Sequence, residues 1–204
     1  MAVTRRLRNC LWVLRRFYRA GEGATAVEFG LLGLPFLALI CACLENGLVY
    51  WEQEILQQAV VDAGRQIYTG QFQTTNAGIT NSTTLIANFR SAICTMPNGA
   101  VRLTIFNCAN VRVSVTQAAS FSGASTVSPV AIDSSTHISD WNPSFQGYTC
   151  AGASAIMIVQ AAVDVPVFFP LLGSTVATLP NKRRVLQAAT VFKVEPYNTK
   201  SVCS

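Results

Sequence analysis

The longest apolar run of the chain lies near its N-terminus, where sixteen uncharged residues extend from Phe29 to Leu44. As a helix this run is roughly 24 Å long, which is short of the ~30 Å hydrocarbon core of a bilayer. A helix over residues 24–51 reaches roughly 42 Å, which matches the core plus the headgroup layers, with Tyr50 and Trp51 as interfacial anchors. The pattern therefore predicts a membrane span over residues 24–51, with Glu45 near the outer interface and within reach of water.

The helical pattern continues beyond this span. Apolar residues recur at i, i+4, i+7 and i+11, namely Leu56, Val60, Ala63 and Ile67. Most charged residues of the segment, Glu52 among them, fall outside this stripe. We therefore predict one helix from about Ala24 to Tyr68, ended by Gly70 in a C-terminal capping role. Its outer half should carry a soluble domain on the apolar stripe.

A second, shorter helix is predicted after a polar connection. The segment Gln71 to Asn81 is expected to be a loop. Ser82 or Thr83 can cap a helix that runs to about Cys94. The apolar residues of that helix fall on one side, namely Leu85, Ile86, Phe89 and Ile93.

The distal half of the chain changes to the periodicity of strands. Asn110 to Gln117 alternates valine with polar residues, which predicts a half-buried strand. Ala153 to Val165 is apolar on both faces, as in a central strand, and Val185 to Val194 alternates again after the approach formed by residues 181–184. Ser120 to Tyr148 is expected to be a long surface excursion. Helices followed by strands predict an α+β domain with an antiparallel sheet packed on the long helix.

The charge of the chain is concentrated at its N-terminus. Half of the residues are apolar and 12% are charged, which excludes a disordered chain. Residues 1–23 hold six arginines and one glutamate, whereas residues 24–204 hold nine basic and nine acidic residues. The net charge of +5 therefore belongs to the N-terminal segment and does not indicate nucleic-acid binding. Arginines ahead of an apolar span predict a cytoplasmic N-terminus and an exported remainder.

Cysteine usage agrees with export. Cys41 and Cys43 fall in the span, where we interpret them as small packing residues rather than as lipidation sites. Four cysteines follow in the exported part, which suggests two disulfides with three possible pairings: Cys94, Cys108, Cys150 and Cys203. Zinc binding by these thiols is the alternative, but no C-x-x-C or histidine spacing favours it. We expect no metal and no cofactor.

Three stretches of the chain resemble a known family. Gly23-Ala24-Thr25-Ala26-Val27-Glu28-Phe29 resembles the processing site of type IV pilin-like precursors, specifically those of the tight-adherence (Tad) pilus. The amphipathic extension from Leu44 to Ile67 is the second stretch. The third comprises Ala155 to Gly173 and Leu186 to Tyr197. Together they are similar to the TadE-like pseudopilins, and the length of the chain favours a minor pilin over a major filament subunit.

The resemblance implies roles for named residues. A prepilin peptidase would cut after Gly23, so that residues 1–23 form a leader and Ala24 becomes the new N-terminus. Glu28, fifth in the mature chain and followed by Phe29, would help to dock the subunit in the pilus. Ala24 stands where type IVa pilins usually have phenylalanine, which fits the Tad branch better. For the exported cysteines we expect the pairing Cys94–Cys108 and Cys150–Cys203.

The implied function is assembly of a Tad-type adhesion pilus, by priming or capping the filament. The expected location is the inner membrane of a bacterium, with a single span and residues 71–204 as a periplasmic α+β domain. The sequence leaves open whether the protein enters the filament, sits at its tip or stays at its base. The expected partners are the prepilin peptidase, other Tad pilins and pseudopilins, the assembly platform and membrane lipid, with no nucleic acid.

Two other classes of function compete with this interpretation. An uncleaved, membrane-anchored periplasmic binding module would retain residues 1–23. An exported hydrolase would need a nucleophile and a base, yet the single histidine, His137, lies in a Ser/Thr-rich segment, so we expect no enzyme. Asp133 to His137 begins like a D-x-S-x-S metal motif but lacks its final serine. Lys182 to Arg184 is expected to be a solvated turn, with contact to lipid headgroups or a pilus partner as the alternative.

Overall fold

The computed structural model describes residues 22–169, 178–196 and 203, with side chains from residue 27 onward. It divides into two compact units, Met1–Leu44 and Glu45–Ser204. Most of the predicted leader, residues 1–21, lies outside the described residues, as do Tyr197 and residues 170–173 of the distal family signature.

The first element is the long helix α1, Glu22–Tyr68. It ends as predicted, because Gly70 adopts a left-handed φ of 77° and its N–H donates to the carbonyl of Ile67 at 3.1 Å. The part from Val27 to Tyr68 is long and apolar enough to cross a membrane, and it is the one such helix in the described part of the chain.

Two shorter helices follow, and both refine the prediction. Helix α2, Gln71–Thr75, occupies part of the segment that was predicted to be a loop. The buried side chain of Gln73 donates to the carbonyl of Ile67 at 3.0 Å, which draws this turn against the end of α1. Helix α3 is Ser82–Cys94, with the predicted apolar face buried. Its cap is Asn81 rather than Ser82 or Thr83, because the Asn81 side chain accepts the Thr83 N–H at 2.9 Å.

The strands form one sheet and one separate hairpin. The sheet has the order β4-β1-β5-β6, and within the described ranges β2 pairs only with β3. The bounds are β1 Arg112–Ala118, β2 Val130–Ile132, β3 Ser139–Trp141, β4 Gly147–Tyr148, β5 Ile156–Pro166 and β6 Arg183–Lys193. Strand β5 is central and buried on both faces, as the sequence predicted.

The sheet corrects three details of the sequence analysis. Strand β4 pairs with β1 in parallel, so the sheet is mixed rather than wholly antiparallel. The predicted surface excursion over residues 120–148 contains β2, β3 and β4. In β1, Ser114 is buried with Val113 and Val115, so that strand does not simply alternate between core and solvent.

The C-terminal part of α1 packs on the sheet as predicted. All four residues of the stripe, Leu56, Val60, Ala63 and Ile67, are fully buried in the core. Gly64 permits a close approach, because a Cβ at this position would lie 3.1 Å from the ring of Phe192. Gln53 adds a polar link by donating from its side chain to the carbonyl of Gln187 in β6 at 2.8 Å.

Two disulfides fasten the domain. Cys94 at the end of α3 is bonded to Cys108, which begins a short 3-10 turn ending at Asn110. Cys150, just ahead of β5, is bonded to Cys203 near the end of the chain. These are the two pairs expected from the sequence, and they occupy all four thiols that a zinc site would need.

Candidate functional site

The predicted processing residues lie in the first turns of α1. Gly23 and Ala24 are helical, and their side-chain environment lies outside the described residues. Glu28 is exposed, and Phe29 exposes 80% of its surface. Both side chains are therefore accessible to a second molecule, while the chain itself brings no partner to them among its described residues.

The described part of the first unit presents an apolar surface. Large side chains recur around the helix and are more than half exposed: Val27, Phe29, Leu31, Leu32, Leu34, Phe36, Leu37, Leu39 and Leu44. A helix that is apolar all round is suited to lipid or to packing against other helices, and not to water. Cys41 and Cys43 lie in this stretch with free thiols.

Glu45 differs from its prediction. It was expected to reach water, yet it is only 7% exposed, and its Oε2 accepts the backbone N–H of Phe169 at 3.0 Å. Glu52, one heptad later, is 2% exposed, and its Oε1 accepts the N–H of Ile105 at 2.9 Å. The two glutamates therefore hold two distant loops against the helix, and we call this pair the glutamate clamp.

The surroundings of the glutamate clamp are apolar. Leu48, Val49, Ile105, Val165 and Phe168 line the small space between the two carboxylates. The remaining oxygens, Oε1 of Glu45 and Oε2 of Glu52, are buried without a hydrogen-bond partner among the described residues. Such groups are costly to bury, so the clamp contributes more to loop placement than to net stability.

Sequence reasoning missed the clamp, although a signal was present. Glu52 lies four residues before Leu56 and Glu45 eleven before it, so both glutamates extend the buried stripe of α1 toward its N-terminus. Their acceptance of backbone N–H groups from loops more than 50 residues away explains why a charged residue is tolerated there.

The loops held by the clamp also carry exposed apolar side chains. Val101, Leu103 and Ile105 protrude on one loop, and Phe168 and Phe169 on the other. Tyr50 and Trp51, in the adjacent part of α1, are exposed as well. We call these seven residues the apolar rim. Exposed aromatic and aliphatic side chains of this kind suit a membrane–water interface or a protein contact.

The basic segment Lys182 to Arg184 is not a simple solvated turn. Arg183 begins β6 and forms an ion pair with Asp164 of β5, and its Nη2 donates to the Asp164 carbonyl at 2.9 Å. Lys182 remains exposed, in a left-handed conformation with φ of 53°. The predicted turn thus leaves one lysine fully available at the surface.

The segment around His137 forms a tight turn between β2 and β3. The Asp133 carboxylate accepts hydrogen bonds from the Ser135 hydroxyl and the backbone N–H groups of Thr136 and Ser135, which hold its pKa well below the usual range. His137 is exposed at the end of this turn, with φ of 55°. Asp133 therefore stabilises the turn by hydrogen bonds within it, a common role of aspartate in turns.

These features define a class of protein. In one helix, α1, an exposed apolar part is followed by a part that packs on an α+β domain. This is the arrangement of a membrane-anchored, pilin-like protein.

The comparison with known families is more specific. Residues 23–68 match the family model described as TadE-like protein. The match begins at Gly23 and ends at the last residue of α1, so it covers 46 of the 204 residues. The resemblance stated from the sequence is thus confirmed for this segment, and it supports a pilin-like protein associated with a Tad-type pilus. No curated protein and no solved structure matches the chain.

Proposed function

We propose that this chain is a minor pilin or pseudopilin that a prepilin peptidase cleaves between Gly23 and Ala24 and that primes or caps a Tad-type adhesion pilus. The observation that carries the proposal is the position of the TadE-like match, which starts at the glycine of the proposed cleavage site and covers the rest of α1. The partners are then the peptidase, other Tad pilins and the assembly platform.

The proposed topology follows from charge and redox chemistry. Six arginines precede the apolar helix, which favours a cytoplasmic N-terminus and a periplasmic domain at the inner membrane of a bacterium. The two disulfides suit an oxidising compartment on the far side of that membrane. The apolar rim, which includes the anchors Tyr50 and Trp51, then lies at the outer lipid–water interface.

The proposed docking step is electrostatic. Cleavage gives Ala24 a cationic amine, and Glu28 of a neighbouring subunit supplies the carboxylate. A carboxylate at mid-bilayer costs about 2.5–3.5 kcal/mol on insertion scales, which is an upper bound for Glu28 near the end of the span. An amine about 4 Å away returns roughly 4 kcal/mol at an effective dielectric of 20. Pairing between subunits therefore offsets the cost of Glu28 in the membrane and favours assembly over the isolated subunit.

The proposed role is structural and not enzymatic. A hydrolase would have to use His137 as its base, and that residue ends a turn built on Asp133 in which no nucleophile–base pair is formed among the described residues. If a hydrolytic activity is found, loss of that activity in His137→Ala would contradict the structural proposal.

Substitution of Glu28 tests the docking step directly. Glu28→Ala should be cleaved and inserted like the parent chain but should give few or no pili, because the amine of the neighbouring subunit loses its partner. Pilus counts by electron microscopy and cleavage by gel mobility measure both effects. Glu54→Ala, which removes an exposed carboxylate from the same helix, is the matched control and should assemble normally. Normal piliation in Glu28→Ala would reject the docking step.

A second candidate is an uncleaved, single-pass periplasmic binding module. A polar cavity in the domain, lined by Arg90 and Arg112, favours it. This candidate requires residues 1–23 in the mature protein, which separates it from the proposed pilin by N-terminal sequence alone.

A further inference from the structure

The domain has a polar surface cavity of about 380 Å³. This cavity shares no lining residue with the small space at the glutamate clamp. Its wall is formed mainly by Arg90, Asn110, Arg112, Trp141, Gln146 and Asp164. None of these residues has a role in the processing, anchoring or docking proposed above. The volume suits a ligand the size of one sugar ring.

Several residues that line the cavity belong to regular secondary structure or to a disulfide-linked turn. Arg90 comes from α3, Arg112 opens β1, and Asp164 belongs to β5. Asn110 ends the short turn that starts at Cys108, which the disulfide to Cys94 joins to the end of α3. Residues from these elements therefore keep their spacing without a ligand, which lowers the entropic cost of binding.

The charge of the cavity is positive. The guanidinium of Arg112 lies over the ring of Trp141, 4.4 Å from its centroid, and neither Arg90 nor Arg112 forms an ion pair among the described residues. Asp164 is the acidic residue among the described residues of the wall, and Arg183 already neutralises it. Two cations are thus left for a ligand.

Donors in the cavity remain unused. The Nε of Arg90 is buried and has no hydrogen-bond partner in the described part of the chain. Contact with the Trp141 ring holds the Arg112 guanidinium in place, and a carboxylate matches the N–H groups of a guanidinium with two parallel hydrogen bonds. The exposed carboxamides of Asn110 and Gln146 both donate and accept, as hydroxyl groups require.

We propose that this cavity binds a sugar acid, with the carboxylate on Arg90 and Arg112 and the hydroxyls on Asn110 and Gln146. The sugar acid is either a free monosaccharide or one residue of an acidic polysaccharide. This inference goes beyond the proposed pilus function and does not depend on cleavage after Gly23, so either can fail without the other.

Titration calorimetry of the full chain in detergent micelles tests the proposal. Galacturonate should bind, whereas galactose, which lacks the carboxylate, should show no binding up to about 10 mM. Trigalacturonate that binds about tenfold more tightly than the monomer supports a polysaccharide source, and equal affinity supports a free sugar acid. The proposal is overturned if galacturonate does not bind, if galactose binds equally well, or if inorganic phosphate or an acidic peptide binds more tightly.

Charge-matched variants locate the site. Arg112→Gln and Arg90→Gln should each weaken galacturonate binding roughly tenfold to 100-fold, the usual effect of losing a hydrogen bond to a charged group. Lys193→Gln removes one exposed charge at the end of β6 and should leave the affinity unchanged. Asn110→Ala, at an exposed position, covers the case in which an arginine variant misfolds and should also weaken binding. Unchanged affinity in Asn110→Ala and in the folded arginine variants would overturn the assignment.

Discussion

At the scale of single residues, the glutamate clamp carries the least expected chemistry of the domain. Each carboxylate of the clamp uses one oxygen to accept a backbone N–H and leaves the other buried without a partner. The single hydrogen bond matters because it joins the backbone of Ile105 or Phe169, each in a loop distant in sequence, to the helix. The clamp therefore fixes the position, relative to α1, of the two loops that carry most of the apolar rim.

We expect different results from two substitutions of Glu52. Glu52→Ala removes the acceptor of the Ile105 N–H and should lower the free energy of unfolding by about 1–3 kcal/mol. Glu52→Gln keeps an acceptor and removes a buried charge, so its effect should stay within about 1 kcal/mol. Denaturant titration followed by tryptophan fluorescence in detergent measures both. The control Glu54→Ala should change nothing measurable. Equal losses in Glu52→Ala and Glu52→Gln would show that the charge, and not the hydrogen bond, carries the effect.

At the scale of elements, the contact between α1 and β6 determines how α1 is packed against the sheet. Gly64 faces the side chains of Thr190 and Phe192, and even a methyl group would approach them to 3.2 and 3.1 Å. Side chains of Gln53 and Gln57 bond to carbonyls of the same strand at 2.8 and 3.3 Å. The two polar links at Gln53 and Gln57, followed by the close approach at Gly64, thus fix the register of this contact.

Enlarging Gly64 should weaken this contact. Gly64→Val should lower the free energy of unfolding by about 1–3 kcal/mol, because the branched side chain overpacks the space beside Phe192. Thermal unfolding by near-ultraviolet circular dichroism gives the change. Gln58→Val places the same side chain at an exposed position of α1 and reports the cost of a β-branched residue alone. Gly64→Val and Gln58→Val with the same midpoint would contradict close packing at Gly64.

The local pattern of apolar residues was enough to predict the elements in which that pattern repeats over several turns. The stripe of α1 and the apolar face of α3 were correct at every residue because burial follows the helical period over several turns. Strand β4 has two residues and no alternation, so nothing in the sequence could reveal its parallel pairing with β1. Helix α2 was missed because its cause is a contact, the bond from Gln73 to Ile67, rather than a propensity.

At the scale of the whole molecule, sites formed by distant segments escaped prediction. Glu45 and Phe169 are 124 residues apart, and Glu52 and Ile105 are 53 apart. Arg90 and Arg112 meet in one cavity only because α3 and β1 are neighbours in the fold. The proposed processing site, in contrast, is a continuous motif and could be recognised from Gly23 to Phe29 directly.

The two disulfides should stabilise the domain to different extents. Cys94 and Cys108 are 14 residues apart and Cys150 and Cys203 are 53 apart. Loop-closure entropy gives about 3 kcal/mol for the first and about 4 kcal/mol for the second. We expect Cys150→Ser/Cys203→Ser to lower the unfolding midpoint more than Cys94→Ser/Cys108→Ser, measured by denaturant titration. The reverse order would show that native-state contacts outweigh chain entropy.

The most direct test of the account is the intact mass and N-terminal sequence of the unreduced protein from its native membrane. We predict a chain that begins at Ala24 and is four hydrogens lighter than its fully reduced form, because both disulfides are present. A chain that retains the arginines and Gly23 would contradict processing as a pilin and would favour the uncleaved binding module.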